Sequence, residues 1–154
     1  DEVLTSFDAM LGKPVKFDTV FIDAPCSGTG TMRRHPEIPW RLTENDVTTE
    51  LPKLQLMMLK EAAARVAAGG ELIYATCSVF DEENTQVVDA FLASPEGACF
   101  TVAPLSEAQI LQLPDFEQAK KLVFVRQNDR GLFQSVPVNA DSYDGHFCAR
   151  LIRK

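Results

Sequence analysis

What the sequence lacks narrows the field first. No apolar run in its 154 residues approaches the roughly 20 needed to cross a bilayer. No basic stretch followed by an apolar core opens it, so no secretory signal is read at its front. It begins with Asp and not Met, which reads as a chain processed, trimmed or cut from something larger. Internal repeats, low-complexity tracts and domain linkers are absent, so a single domain is expected. The four cysteines, Cys26, Cys77, Cys99 and Cys148, include no Cys-x-x-Cys spacing, which removes the usual zinc and redox frames. A chain of this length does not need disulfide staples, and all four are read as reduced thiols in a cytosolic protein. Cations are in deficit: 15 Lys and Arg against 22 Asp and Glu leave a net charge of −7. That balance disfavours broad phosphate binding. One local exception stands out, Arg33-Arg34-His35 with Arg41 just beyond.

What is present is organised around Asp23-Ala24-Pro25-Cys26-Ser27-Gly28-Thr29-Gly30. It follows the apolar run Thr19-Val20-Phe21-Ile22, read as a buried strand over residues 18–23. The carboxyl ends of such strands are where open α/β sheets place ligands and chemistry. A second strand, residues 71–76, delivers another thiol in Thr76-Cys77-Ser78. Between them, residues 27–52 hold several Gly and Pro and are expected to be largely irregular, with a capping signal at Thr43-Glu44-Asn45-Asp46. Residues 53–68 carry the clearest helical periodicity, with Gly69-Gly70 as the stop. Asp81-Glu82-Glu83-Asn84 reads as an acidic helix start, with Val87, Val88, Phe91 and Leu92 as its buried face.

At the front, Val3-Leu4-Thr5-Ser6-Phe7 reads as a strand that places Asp8 at its end. After residue 97 short strands are expected at 100–102, 122–125 and 145–152, with a helical turn within 105–113. The rhythm strand, helix, strand, helix predicts an α/β fold: a mostly parallel sheet, antiparallel strands at one edge, and helices on both faces.

A thiolate is a nucleophile, and two cysteines after neighbouring strands suit a two-step covalent mechanism in which one thiol adds and the other assists release. The plainer alternative is that a buried thiol at a strand end is simply core. For Cys99 and Cys148 core packing is the reading. Residue type and spacing do not choose between the two readings for Cys26 and Cys77.

The two cysteine motifs together resemble the paired signature of the Nop2/Sun (Fmu-like) family of RNA cytosine-5 methyltransferases. Arg34-His35-Pro36-Glu37, Tyr74-Ala75-Thr76-Cys77-Ser78, Glu82-Glu83-Asn84 and the closing Asp144-Gly145-His146-Phe147-Cys148-Ala149-Arg150-Leu151 extend the resemblance over nearly the whole chain. Residues 31–46 are most similar to the bacterial ribosomal-RNA branch. The resemblance implies a Rossmann-like methyltransferase domain that uses S-adenosylmethionine to methylate carbon 5 of a cytosine in RNA, in the cytoplasm and without a membrane. It implies Cys77 as the nucleophile on carbon 6, Cys26 as the residue assisting loss of the carbon 5 proton and release, and Asp23 beside the cofactor's methionine end and the base. It further implies Asp8 as the residue meeting the adenine, and Arg33, Arg34, His35 and Arg41 as RNA contacts, with Trp40 as a stacking or packing residue.

Three alternatives stand beside it: a transfer-RNA cytosine-5 methyltransferase, a DNA cytosine-5 methyltransferase with the Pro-Cys thiol as nucleophile, and a non-catalytic RNA-binding or assembly module. The chain departs from the family pattern at its front. The glycine-rich cofactor loop and the acidic ribose ligand belong upstream of Asp8, as does an N-terminal RNA-binding region. Residues 1–154 are therefore expected to form the C-terminal part of the catalytic domain, inactive alone, with an exposed sheet edge that invites dimerisation.

Overall fold

A computed structural model describes residues 2–106, 112, 123–137 and 143–154. The elements in chain order are helix α1 (Glu2–Leu11), strand β1 (Phe17–Asp23), helices α2 (Ile38–Arg41) and α3 (Leu51–Ala63), strand β2 (Val66–Thr76), helix α4 (Thr85–Leu92), and strands β3 (Phe100–Val102), β4 (Val123–Gln127), β5 (Phe133–Pro137) and β6 (His146–Arg153). They form one mixed sheet in the order β1-β2-β6-β5-β4, with β3 also paired to β6. The parallel pair is β1 and β2, in a register that sets Asp23 against Ala75. β6 then runs antiparallel to β2, and the remaining strands continue antiparallel from it. The α/β class with antiparallel strands towards one edge is thus present. The expected turn within 105–113 lies almost wholly outside the described residues.

Three local expectations are corrected. Residues 2–11 are helical, not a strand. Val3, Phe7, Met10 and Leu11 share the helical spacing that the short apolar run conceals, and Gly12, at φ 64°, ends the helix in the left-handed region. The helix expected over 53–68 stops at Ala63, and Val66 is instead a fully buried strand residue. Gly69-Gly70 lie inside β2, with Gly69 at φ 76°, near a register shift opposite Phe17 to Thr19. The stretch before Pro52 is also more regular than expected. Thr43 and Asp46 cap each other reciprocally, Thr43 N–H to Asp46 Oδ2 at 2.8 Å and Asp46 N–H to Thr43 Oγ1 at 3.2 Å. A π-wound turn, Asp46–Glu50, leads directly into α3. Pro52 falls in the first turn of α3, where its missing N–H is tolerated.

The core is assembled from Leu59 of α3, Val66, Leu72 and Tyr74 of β2, Val88 and Phe91 of α4, and Ala149 and Leu151 of β6. Tyr74 meets Phe147 edge-on, ring centroids 6.2 Å apart. β1 is less covered than its composition suggests: Ile22 is buried, but Phe21 is 61% exposed. β1 is the outer strand of the sheet, so its far edge has no neighbouring strand among the described residues.

Glu71 ties three strands together. It accepts Arg150 Nε of β6 at 2.6 Å and the Thr19 hydroxyl of β1 at 3.1 Å. The Arg150 hydrogen bond, helped by Thr19, holds its carboxyl below the usual range. A depressed folded-state pKa gives stability that is present above the unfolded value, about 4.3 for Glu, and lost as pH falls through the folded value. Glu71→Gln is therefore expected to lower stability by on the order of 0.5 kcal/mol at pH 7. Urea midpoints of the two proteins should converge on acidification below about pH 4, and a gap that persists there would contradict the assignment.

Candidate active site: two thiols held by a buried carboxylate

The parallel register of β1 and β2 carries the two cysteine motifs out of the sheet side by side. Past the last paired residues, Ala24 N–H still bonds Ala75 C=O at 2.9 Å, and Gly30 N–H bonds Cys77 C=O at 2.8 Å. Gly145 N–H, just before β6, bonds Gly30 C=O at 2.9 Å. The result is a zipper of two loops in which Cys26 Sγ and Cys77 Sγ lie 3.2 Å apart. Cys77 N–H also points at Cys26 Sγ, at 3.3 Å. Both thiols are half-buried. Burial, and then the contact with Cys77, push the Cys26 thiol up to about 12, so it keeps its proton at neutral pH.

Behind the thiols sits a buried polar cluster that sequence reasoning missed. Glu83, fully buried, accepts Ser27 N–H at 2.8 Å, Gln55 Nε2 at 3.0 Å and the Ser78 hydroxyl at 2.5 Å. Gln55 Nε2 also donates to Pro25 C=O at 2.9 Å. The hydroxyls of Ser27, Thr29 and Ser78 lie within 3.1 to 3.3 Å of one another. Asn84 accepts the Thr76 hydroxyl at 2.6 Å and donates to Ser78 C=O at 2.9 Å. Tyr74 donates to Glu83 C=O at 2.6 Å. The acidic run at 81–84 reads as a solvated helix start, yet Glu83 lies at the spacing of Val87 and Phe91, on the face that packs inward. Gln55 stands in the same relation to Leu59 and Ala63. That spacing was the available signal.

The other expected residues divide. Asp23 stands at the end of β1 beside the thiol loop, exposed, its carboxylate making no hydrogen bond or ion pair among the described residues. Asp8 is not brought to the thiols. It lies in α1, accepts Val15 N–H at 2.6 Å and pairs with Arg65, the residue just before β2. The seven-residue length of β1, about 20 Å, separates that position from the cysteine loops. Its expected place at a strand end is corrected. Arg34 is fixed by Asp144, Nε to Oδ2 at 2.7 Å, and lies within electrostatic reach of Cys77. Arg33 reaches the same carboxylate at 3.6 Å. His35 pairs with Glu37, and Arg41 closes the exposed α2 beside Trp40, which is 90% exposed. Asp144, whose carboxyl the Arg34 hydrogen bond holds below the usual range, was also missed. Cys99 packs against the core and Cys148 faces Ala75 across the sheet, as structural thiols would.

A mixed α/β sheet with paired loops at the ends of its two parallel strands is the C-terminal portion of a Rossmann-like methyltransferase fold, and solved neighbours share it. The structure of NSun6 from Pyrococcus horikoshii with SFG superposes with a TM-score of 0.63 at 19% identity, over 90% of this chain and 30% of that one. The crystal structure of PH0851 matches with a TM-score of 0.67 at 34% identity, over 87% of this chain and 26% of its own. The family model for 16S rRNA methyltransferase RsmB/F matches residues 3–152, and the chain belongs to that family. Among curated relatives, ribosomal RNA small subunit methyltransferase B of Salmonella arizonae is 39% identical over 140 residues, 90% of this chain. The chain spans about a quarter of that relative's length, 27%.

Gly30 is where the two loops and the approach to β6 meet most closely. A Cβ there would stand 2.1 Å from Gly145 O and 2.8 Å from Cys77 O, both backbone atoms. Gly30→Ala is expected to cost about 1–3 kcal/mol or more in denaturant unfolding and to spread the thiols. Wild-type stability in that variant would show the loops to be freer than this geometry.

Proposed function

We propose that the protein containing this chain methylates carbon 5 of a cytosine in RNA, ribosomal RNA foremost, through a covalent adduct on Cys77. The observation that carries the reading is the contact of the two thiols at the ends of the parallel strands. Two sulfur anions in contact repel, so one sulfur keeps its proton. Burial and the contact with Cys77 push the Cys26 thiol up, which accords with Cys26 as the proton-handling residue and Cys77, of the Thr-Cys motif, as the one that attacks. Its sulfur adds to carbon 6, and the electron pair released onto carbon 5 takes the methyl group. Loss of the carbon 5 proton, assisted by Cys26, then expels the Cys77 sulfur and restores the ring. S-adenosylmethionine, when bound, supplies the electrophilic methyl.

The unpaired Asp23 carboxylate beside the thiols suits the cationic methionine end of that cofactor, and the SFG neighbour was solved with an analogue of it. Asp8, held by Arg65 at the far end of β1, has no role in this reading. Arg33, Arg34, His35 and Arg41 form a basic, exposed rim next to the thiol loops, suited to RNA phosphates, with Trp40 free to stack on a base. The target base leaves its stack to present its ring face to the sulfur. In a protein of that relative's length, the stretches this chain does not cover would complete the cofactor and RNA sites.

The test uses the full-length protein and RNA carrying 5-fluorocytidine, whose carbon 5 has no proton to lose. Wild-type protein should form a stable adduct seen as a band retarded in denaturing gels. Cys77→Ala should abolish it. With ordinary RNA, Cys26→Ala should accumulate adduct that the wild type releases. The reverse pattern would hand the nucleophile's role to Cys26, as in the DNA cytosine-5 class. Adduct with neither variant and none with wild type would favour a non-catalytic module.

A further inference from the structure

We propose that Glu83 is a positioning residue that sets the separation of the two thiols. It acts through Ser27 and Ser78, which directly follow Cys26 and Cys77. This rests on the geometry of the site, and it deepens the reading in which those thiols divide one reaction.

A carboxylate removed from water is costly unless its lone pairs are taken. Here every partner is a neutral donor. One oxygen accepts Ser27 N–H and Gln55 Nε2, the other the Ser78 hydroxyl. One side chain therefore grips the backbone of the first cysteine loop and the side chain of the second. Gln55 extends the grip by holding Pro25 C=O, on the other side of Cys26. Ser78 in turn accepts Phe80 N–H at 3.1 Å, which closes the second loop on itself.

The chemistry of this position calls for an acid and not an amide. Three donors converge on it, and a carboxylate offers acceptors only, whereas glutamine must present an NH2 to one of them. Facing Ser27 and Gln55, that NH2 would meet the fixed Ser27 N–H and a Gln55 NH2 that could turn away only by giving up Pro25 C=O. Facing Ser78, it would meet a hydroxyl oxygen that already accepts from the Ser27 hydroxyl and Phe80 N–H, so the hydroxyl would have to send its proton elsewhere and drop one of those bonds to accept from position 83. Glu83→Gln thus keeps the grip on the Cys26 loop and loosens it on the Cys77 loop. Glu83→Asp is one methylene short of spanning the two.

The separation of the thiols can be read without RNA or cofactor. Diamide, an azo oxidant, takes two protons and two electrons from a thiol pair and becomes the hydrazine, while the sulfurs close a disulfide. Cys26 and Cys77 have only about 1 Å to close to covalent length. Peptide mapping under non-reducing conditions gives the closure rate, and alkylation of Cys99 in the same sample reports whether the rest of the chain is undisturbed. Glu83→Gln and Ser78→Ala are each expected to slow closure about 10-fold to 100-fold at unchanged Cys99 reactivity and circular dichroism. Glu83→Asp should slow it further. Closure within about twofold of wild type in a folded Glu83→Gln protein would overturn the proposal.

Should the variants not fold, the wild-type chain still decides the matter. The Ser27 amide should exchange with solvent among the slow set if Glu83 holds it, and unprotected exchange would refute the grip. Failure of the methyl-transfer reading appears separately, as absence of adduct in wild-type protein with normal thiol closure.

Discussion

The site depends first on the parallel pairing of β1 with β2. Sheet register has a side-chain period of two, so the alignment of Asp23 with Ala75 decides which residues leave the strand ends together. With that register, the two cysteine loops emerge as neighbours and continue the ladder beyond the strands through Ala24, Cys77 and Gly30. A slip by one residue would turn the thiols to opposite faces of the sheet. Helix α3 and strand β6 fix the register from outside. Leu59 packs beneath the sheet, and residues 147–152 pair with β2 along 71–76. The thiol contact is thus a consequence of long-range sheet assembly and not of any local turn.

The buried polar cluster does what apolar packing cannot. Hydrophobic contacts are non-directional and would allow either loop to shift by a fraction of an ångström. Hydrogen bonds of 2.5 to 3.0 Å to one carboxylate impose both distance and direction. Leaving any of these buried donors unpaired costs about 1–3 kcal/mol, so the cluster is held as a unit. Asn84 adds a second, independent tie between the end of β2 and the loop that follows it. Together the pair Glu83-Asn84 turns the start of α4 into a brace for the thiol loops.

Much of this was legible in sequence, and for identifiable reasons. β2, α4, β3 and β6 follow from apolar runs whose periods survive in the structure, and the two thiol motifs name the site. The failures are equally physical. Residues 2–11 offered a short apolar run that fits a strand or a helix, and only the wider spacing of Val3, Phe7, Met10 and Leu11 separates them. β1 reads as buried because its residues are apolar, whereas exposure depends on which strand sits at the edge. Glu83 and Gln55 show only their inward-facing spacing in the sequence; that they are buried as polar groups depends on partners from loops distant in sequence, Ser27 and Ser78 above all. Asp144 was missed likewise, since its partners Arg33 and Arg34 come from the other end of the chain.

The contact between the thiols also orders their work in time, on the roles proposed. Burial, the hydrogen bond with Cys77 and the charge on Cys77 all raise the Cys26 thiol, in that order. Burial persists throughout, but the other two depend on a free Cys77 sulfur. Once Cys77 is joined to carbon 6 it is a neutral thioether, and both are relieved. The Cys77 N–H, which favours an anionic Cys26, remains in place. On those roles the adduct removes two of the causes that hold the proton on Cys26, while burial, the largest, stays. Two nucleophiles side by side would otherwise compete for one ring. A contact of 3.2 Å, on the roles proposed, ties the second thiol's basicity in part to the first thiol's bond.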